Sequence, residues 1–352
     1  MMADYYAQRA SVPGTLIIAE ATFVAKDAGG MANVPGIWSD AQVEGWKAVV
    51  DAVHAKGSFI YLQLWSLGRA AYASVAAAEG FTVKSASNLP ISADSAFSAD
   101  DLTVPEAMTV EEIAVRTGEY VAAARNAVLR AGFDGVEIHS ANGYLLDQFL
   151  QDMSNDRTDG YGGSVEKRAR FPLEVVKAVT EAVGAERVGI RLSPWSVFQG
   201  MRMEDPVPQF SYLVKEIARL NLAYLHLVRS GISGPSTAGE GPLARVKDES
   251  LDFAVNLWPV DRPVLIAGGL TVEMARKMVE EEYPGHQVVA LFGRRFISTP
   301  DLVFRMREGI EFNAYDRSTF YNPMSAVGYL DQKFSVEFES VYGVKGEGRE
   351  LN

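Results

Sequence analysis

The segment Gly135-Val136-Glu137-Ile138-His139, followed directly by Ser140-Ala141-Asn142-Gly143-Tyr144, decides the fold. Its first five residues form a short, mostly apolar run, typical of a parallel strand that is buried on both faces. Upstream, Thr109-Val110-Glu111-Glu112 is a capping box that opens a stripe of helical spacing, and Gly132 stands where that helix ends. A helix, a glycine, a strand and a polar turn in this order indicate one unit of a repeated β/α architecture.

The same alternation extends in both directions along the chain. We predict strands over residues 15–23, 58–64, 135–139, 188–192, 223–228, 263–267 and 288–292. We predict further helices from the capping box at 39–42 and over 165–184, 208–220, 249–258, 271–282 and 300–309. Seven strand–helix pairs without a break in composition favour one α/β domain over residues 1–352, a (β/α)8 TIM barrel that lacks its first strand. Tyr5-Tyr6-Ala7-Gln8-Arg9 resembles the end of the helix that would follow that strand.

Composition excludes several classes of function. The chain has 352 residues, a net charge of −12 and no cysteine, so it contains no disulfide, no thiolate nucleophile and no Cys-ligated metal. There is no Lys/Arg run to neutralise phosphates, which argues against nucleic acid as a partner. The longest apolar stretch, 15–24, is interrupted by Glu20 and is shorter than the roughly 20 residues that span a membrane. We expect a cytoplasmic protein without a metal site, and monomer or homodimer stays open.

Three groups of polar residues follow strand ends, where barrels carry their chemistry. The first is His139, Asn142 and Tyr144. Two N–H donors three residues apart can converge on one oxygen and polarise a carbonyl, and a neutral tyrosine can donate a proton. The alternative is a satisfied histidine and a core tyrosine at a strand–helix junction.

The second group is the pair of glycine turns that follow the last two predicted strands, Gly268-Gly269 and Gly293-Arg294. Loops in these positions bind phosphate in many barrels through backbone N–H groups, and the arginine would add a charged fork. The residues leave flavin mononucleotide and a sugar phosphate open, and tight turns beside a solvated arginine are the alternative.

The third group is Arg191 at the end of an apolar strand. A buried guanidinium is costly unless it meets an anion, so an internal negative partner is expected. A salt bridge with Glu137 is one possibility. A flavin fits better, because a cation beside the ring stabilises its reduced, anionic form.

Together these motifs resemble the old yellow enzyme family of FMN-dependent ene-reductases. The matching stretches are 5–10, 14–21, 35–38, 62–65, 135–144, 155–164, 191–194 and 292–294, and the resemblance covers residues 5–331. Stretches 67–71 and 193–201 look most like the fungal branch of secondary metabolism, which includes ergot alkaloid enzymes. The resemblance implies FMN as cofactor, NADPH or NADH as reductant, and an α,β-unsaturated aldehyde or ketone as the small-molecule substrate.

The resemblance also implies a role for each matching residue. Those that would contact the flavin ring are Ala21, Gln63 and Arg191, and those that would hold its phosphate are Gly268, Gly269, Gly293 and Arg294. His139 and Asn142 would bind the carbonyl oxygen, and Tyr144 would protonate the adjacent carbon. The residues that would shape the pocket are Trp65, Phe198, Phe320 and Tyr321.

The chain departs from the family pattern in three places, one of which is Met31, where several relatives carry an aromatic residue at the pocket rim. No counterpart of the family's first strand precedes Tyr5, which predicts an open barrel with unpaired edges. The usual C-terminal motif reads Gly328-Tyr329-Leu330-Asp331-Gln332-Lys333, so different packing is expected there. We expect residues 66–108 to form a lid or pocket wall and 332–352 a tail. The alternative function is a truncated, flavin-poor paralogue without reductase activity.

Overall fold

The computed structural model describes residues 1–96, 101–230 and 249–343. The strands are β1 (Leu16–Ile18), β2 (Thr22–Phe23), β3 (Phe59–Trp65), β4 (Lys84–Ser85), β5 (Glu106–Ala107), β6 (Gly135–Ser140), β7 (Val188–Leu192), β8 (Tyr224–Val228), β9 (Val264–Ala267) and β10 (Val288–Leu291). The α-helices are α1 (Met2–Arg9), α2 (Asp40–His54), α3 (Ala73–Glu79), α4 (Val110–Arg125), α5 (Leu145–Leu150), α6 (Val165–Val183), α7 (Val207–Ala218), α8 (Asp252–Val255), α9 (Val272–Lys277), α10 (Arg294–Ser298), α11 (Leu302–Glu308) and α12 (Val336–Tyr342).

The main sheet is parallel throughout, in the order β1-β3-β6-β7-β8-β9-β10, with β2 pairing beside β3 beyond the end of β1. Its central strands β6 and β8 are buried at every residue, which explains their near-continuous apolar sequence. Helices connect successive strands and share one core with the sheet. The predicted TIM-barrel type of α/β fold is confirmed.

The sheet is strongly curved. The rings of Tyr61 on β3 and Tyr224 on β8 lie 5.6 Å apart although two strands separate them in the sheet, so their side chains converge on the concave face. Within the described residues, no strand pairs with the outer side of β1 or β10. The predicted open barrel is therefore confirmed.

Helix α1 lies across the opening. The Arg9 guanidinium donates to the carbonyl of Ile297, and Gln8 Nε2 donates to the carbonyl of Leu330 at 3.1 Å. Tyr5 stacks on Tyr329 with ring centroids 4.2 Å apart. The C-terminal segment that departs from the family motif thus packs on α1.

Both predicted capping boxes are present, Ser39 with Gln42 and Thr109 with Glu112. The single strand predicted over 15–23 was wrong, because it divides into β1 and β2. The Glu20 amide donates to the Tyr6 hydroxyl at 2.9 Å, a side chain from α1, instead of joining the ladder with β3. This competing hydrogen bond interrupts the strand.

The helix predicted over 249–258 was too long. Only Asp252–Val255 is α-helical, and Trp195 Nε1 donates to the Ser250 carbonyl at 2.9 Å just before it. A side chain from the β7–α7 connection therefore fixes the backbone ahead of the helix.

Candidate active site

The carboxyl ends of β3, β6 and β7 bring the first and third groups of polar residues together. His139 and Arg191 are register partners in neighbouring strands. The His139 ring lies 6.2 Å from the Trp65 ring and 5.1 Å from the Tyr144 ring, centroid to centroid. Residues that are 126 positions apart in sequence, from Trp65 to Arg191, therefore share one site.

His139 is an uncharged donor. Its side chain is 3% exposed, and Nδ1 is buried without a hydrogen-bond partner. Burial lowers the pKa of His139 well below its ordinary value, and the Arg191 guanidinium lowers it further. At neutral pH the ring is the neutral imidazole, which can donate one N–H without bringing a second positive charge into the site.

The turn after β6 is fixed from several sides. Asn142 adopts a left-handed backbone conformation (φ 56°). Its backbone N–H donates to Ser193 Oγ at 2.7 Å, and its backbone carbonyl accepts from Gln199 Nε2 at 3.1 Å. The amide of Gly143 donates to Asp147 Oδ2 at 2.9 Å. A Cβ on Gly143, which has φ 76°, would lie 2.8 Å from Met201 Cγ, so this position accepts only glycine without a shift.

Tyr144 closes the turn with its ring against an aromatic wall. The ring packs edge-on against Trp65, with centroids 4.7 Å apart, and Trp65 stacks on Phe23 at 5.1 Å. Burial raises the pKa of Tyr144 well above its usual range, with the Tyr321 hydroxyl adding to the shift. The hydroxyl is therefore protonated at any physiological pH and is available as a proton donor.

The 66–108 segment contributes to this wall. Leu67, Ala71, Ala76 and Val83 form one buried cluster with Phe23 and Trp65, and Tyr144 packs against it. The segment also contains the separate two-stranded sheet of β4 and β5. Its described part therefore covers the side of the site where Tyr144 lies.

Arg191 on β7 does not form a salt bridge with Glu137, which was one of the two partners considered from the sequence. Glu137 instead accepts from Gln63 Nε2 at 2.6 Å and lies 2.9 Å from His226 Nδ1. Arg191 Nε is buried without a hydrogen-bond partner among the described residues. Trp65 Nε1 and His139 Nδ1 are also buried without a hydrogen-bond partner. Because buried donors are normally paired, these three groups at the strand ends fit a ligand that carries several hydrogen-bond acceptors.

The two glycine turns also meet. β9 and β10 pair in register, with Ala267 opposite Leu291, so Gly268-Gly269 and Gly293-Arg294 leave adjacent strand ends. Gly268 and Gly269 have φ of 136° and 62°, and a Cβ on Gly293 would meet nothing within 4 Å. The turn at Gly293 therefore has free space beside it, and Arg294 stands at the first position of α10.

The remaining predicted residues are less enclosed. Three of them are half-buried: Ala21 between β1 and β2, Phe198 in a one-turn 3-10 helix over 198–200, and Phe320. Tyr321 is 70% exposed, although it lies near enough to Tyr144 to influence its pKa.

Sequence reasoning missed the residues that hold the site from behind, namely His226, Asp147, Gln148 and Gln199. His226 stands in an apolar strand, where a polar residue is a detectable signal, but nothing local identifies its partner on another strand. Asp147 and Gln148 occupy a six-residue helix that is buried throughout, and polar residues on a fully buried helix are such a signal too.

In the described parts of the chain, no cluster of three or more His, Cys, Asp or Glu side chains is arranged to hold a metal ion. Within the same ranges, no helix is long and apolar enough to cross a membrane.

Comparison with known proteins adds four findings. The profile of the NADH:flavin oxidoreductase / NADH oxidase family matches residues 1–313. Chanoclavine-I aldehyde reductase fgaOx3 of Penicillium roqueforti is 53% identical over 96% of this chain and 88% of that protein. A protein of Epichloe festucae var. lolii named probable inactive reductase easA is 48% identical, over 95% and 86% respectively. Among solved structures, the old yellow enzyme of a Pichia species superposes with a TM-score of 0.84 at 39% identity, covering 95% of this chain and 84% of that chain.

Proposed function

The chain belongs to the NADH:flavin oxidoreductase / NADH oxidase family, the old yellow enzymes, and from this premise we propose how its residues serve an FMN-dependent ene-reductase. The reaction is reduction of the activated C=C bond of an α,β-unsaturated aldehyde or ketone, with NADPH or NADH as the source of hydride. The observation that carries the proposal is the convergence of His139, Tyr144 and Trp65 above the buried, unpartnered Nε of Arg191.

The flavin-binding residues divide between ring and phosphate. Arg191 and Gln63 would contact the ring, together with the Ala21 backbone at the end of β1. Gly268, Gly269, Gly293 and Arg294 would hold the phosphate, and their support is the pairing of β9 with β10. When bound, FMN would supply the redox chemistry that carries hydride from the nicotinamide to the β-carbon of the substrate.

His139 and Asn142 would bind and polarise the substrate carbonyl. As hydride reaches the β-carbon, negative charge would develop on this oxygen, and hydrogen bonds from the two side chains would stabilise that charge more than they stabilise the ground state. The rigid turn supports this role, since the Asn142 backbone is held by Ser193 and Gln199 and needs no rearrangement during reaction.

Tyr144 would supply the proton to the α-carbon. The position of its ring against His139 and Trp65 supports this role, and its raised pKa keeps the hydroxyl protonated at neutral pH. Trp65, Phe198, Phe320 and Tyr321 would line the substrate pocket, with the 66–108 segment as one wall. The aldehyde-reductase name of the Penicillium roqueforti relative supports an aldehyde as the carbonyl group of the substrate.

The direct test is the visible spectrum of the purified chain with and without added FMN, followed by titration with a phenol. We expect flavin absorbance and a long-wavelength charge-transfer band that disappears when His139 and Asn142 are both changed to Ala. His54→Ala, on the exposed face of α2, is the matched control and should keep the band. An undiminished band in the double variant would place the carbonyl site elsewhere.

A second function, a flavin-poor paralogue without reductase activity, has two specific observations in its favour. In the described part of the chain the barrel is open between β1 and β10, and a relative at 48% identity is named probable inactive reductase. A colourless preparation that fails to take up FMN and reduces no enone would favour it over the ene-reductase.

A further inference from the structure

One carboxylate is fully enclosed inside the curved sheet. Glu137 on β6 is 0% exposed, and both of its oxygens are engaged, one by Gln63 Nε2 from β3 at 2.6 Å and the other by His226 Nδ1 from β8 at 2.9 Å. Three strands therefore meet at this side chain. Gln63 and Glu137 are also register partners, which fixes their separation through the backbone.

A cation lies on the same face of the sheet as this carboxylate, on the neighbouring strand. Arg191 on β7 is the register partner of His139, which follows Glu137 by two residues and so points to the same face of the sheet. Of the three carboxylates that are buried within the described residues, Asp147 lies on α5 and Asp301 precedes α11, which leaves Glu137 as the one on a strand. The strand interior thus holds one anion beside the guanidinium that would contact the flavin.

The charges of Glu137 and Arg191 influence each other. Burial opposes ionisation of Glu137, but His226, Arg191 and Gln63 outweigh it and lower its pKa to about 2. Burial lowers the pKa of Arg191, and Glu137 opposes that shift. The pKa of His139 is lowered by Arg191 and raised by Glu137, so the carboxylate also offsets the guanidinium at the substrate donor.

We propose that Glu137 is a positioning residue that sets the net charge under the flavin, because it fixes the Gln63 amide and balances the charge of Arg191. The inference rests on the proposed function. Arg191 and Glu137 form no salt bridge, but with Glu137 ionised their two charges sum to zero, and the guanidinium stabilises the anionic reduced flavin only in part. Removing the carboxylate charge leaves Arg191 uncompensated, which favours the reduced flavin and raises its midpoint potential.

The central variant is Glu137→Gln, which keeps an oxygen for Gln63 and an amide for His226 but removes the charge. The measurement is the midpoint potential of bound FMN by dye equilibration, together with the dissociation constant of oxidised FMN. We expect reduced FMN to gain at least tenfold in affinity relative to oxidised FMN, a positive shift of about 30 mV for two electrons. An unchanged potential in a variant that binds FMN fully would overturn the proposal.

Two matched variants separate charge from packing. Glu137→Asp keeps the charge, and His226→Gln keeps the carboxylate with an amide donor, so both should stay near the wild-type potential. A shift in His226→Gln as large as that in Glu137→Gln would mean that disturbed packing, not charge, moves the potential, and would refute the proposal.

A second comparison covers the case in which Glu137→Gln alone does not fold. Removing two opposite buried charges together is tolerated better than removing only one of them. The same test can therefore be made by comparing Arg191→Gln with the double variant Glu137→Gln/Arg191→Gln. The double variant is expected to have the more positive potential. Equal potentials would refute the inference. Failure of the wild-type chain to bind FMN would instead refute the proposed function, so the two failures are distinguishable.

Discussion

Gly189→Ala on β7 is expected to lower the free energy of unfolding, because the added methyl group would collide with Tyr224 on β8. The structure gives the size of the effect. A Cβ on Gly189 would lie 2.2 Å from Tyr224 Cε2 and 2.3 Å from Cζ, whereas ordinary contacts begin near 3.4 Å. The Tyr224 ring is 3% exposed and lies against Tyr61, so it must move by about 1 Å with little room. Overpacking of this kind costs about 3 kcal/mol, offset by about 0.7 kcal/mol from the lower entropy of the unfolded chain.

The net loss of about 2 kcal/mol is measurable by urea unfolding followed by circular dichroism. With an unfolding entropy of about 2.1 cal/mol/K per residue over 352 residues, it corresponds to a fall in Tm of about 3 °C. Gly45→Ala is the matched control, since Gly45 lies on the exposed face of α2 and its Cβ would meet nothing within 4 Å. That variant should gain about 0.5–1 kcal/mol. If Gly189→Ala were as stable as Gly45→Ala, the tyrosines would not be closely packed and the reasoning would fail.

Three further predictions concern the site. Tyr144→Phe should slow enone reduction by about 10²- to 10⁴-fold and leave flavin reduction by NADPH unchanged in stopped-flow assays, whereas equal loss in both half-reactions would contradict the proton-donor role. Burial raises the pKa of Asp147 to about 7, so the folded state binds the extra proton between about pH 4 and 7 and stability falls as pH rises through that window. Urea unfolding should show a flatter pH dependence there for Asp147→Asn, by up to about 4 kcal/mol, and parallel curves would argue against this assignment. Arg294→Gln should weaken FMN binding by roughly tenfold to a hundredfold in fluorescence titrations. Arg295→Gln, at the exposed neighbouring residue, is the control and should not weaken binding. Equal losses in both variants would show that Arg294 has no specific role in holding the phosphate.

The sequence predicts the strands well where burial is uniform and poorly where a distant side chain intervenes. β7 is found at its predicted bounds, because a strand covered on both faces is apolar along its whole length. The 15–23 strand divides at Glu20 because its amide binds the Tyr6 hydroxyl, a contact between segments 14 residues apart that no local pattern announces.

The candidate site shows the same division. His139, Asn142 and Tyr144 are recognisable from their order after a strand. The residues that hold this turn in place are not recognisable in the same way, since Asp147 accepts from the Gly143 backbone N–H from within a buried helix. Arg191 was predicted to meet an internal anion, and the sequence offered Glu137 as one partner, yet that carboxylate is engaged by Gln63 and His226 instead.

The parallel β/α repeat, the capped helices and the polar residues at the strand ends could be predicted from the sequence, because hydrophobic period, capping and polar residues after strands are local properties of the chain. Only the tertiary structure decided which of those side chains meet, that Glu137 pairs with a histidine 89 residues away, and that the edges of β1 and β10 stay apart within the described residues. The physical reason is that register and curvature are set by packing between strands joined through long crossovers, so they belong to the whole sheet and to no single segment.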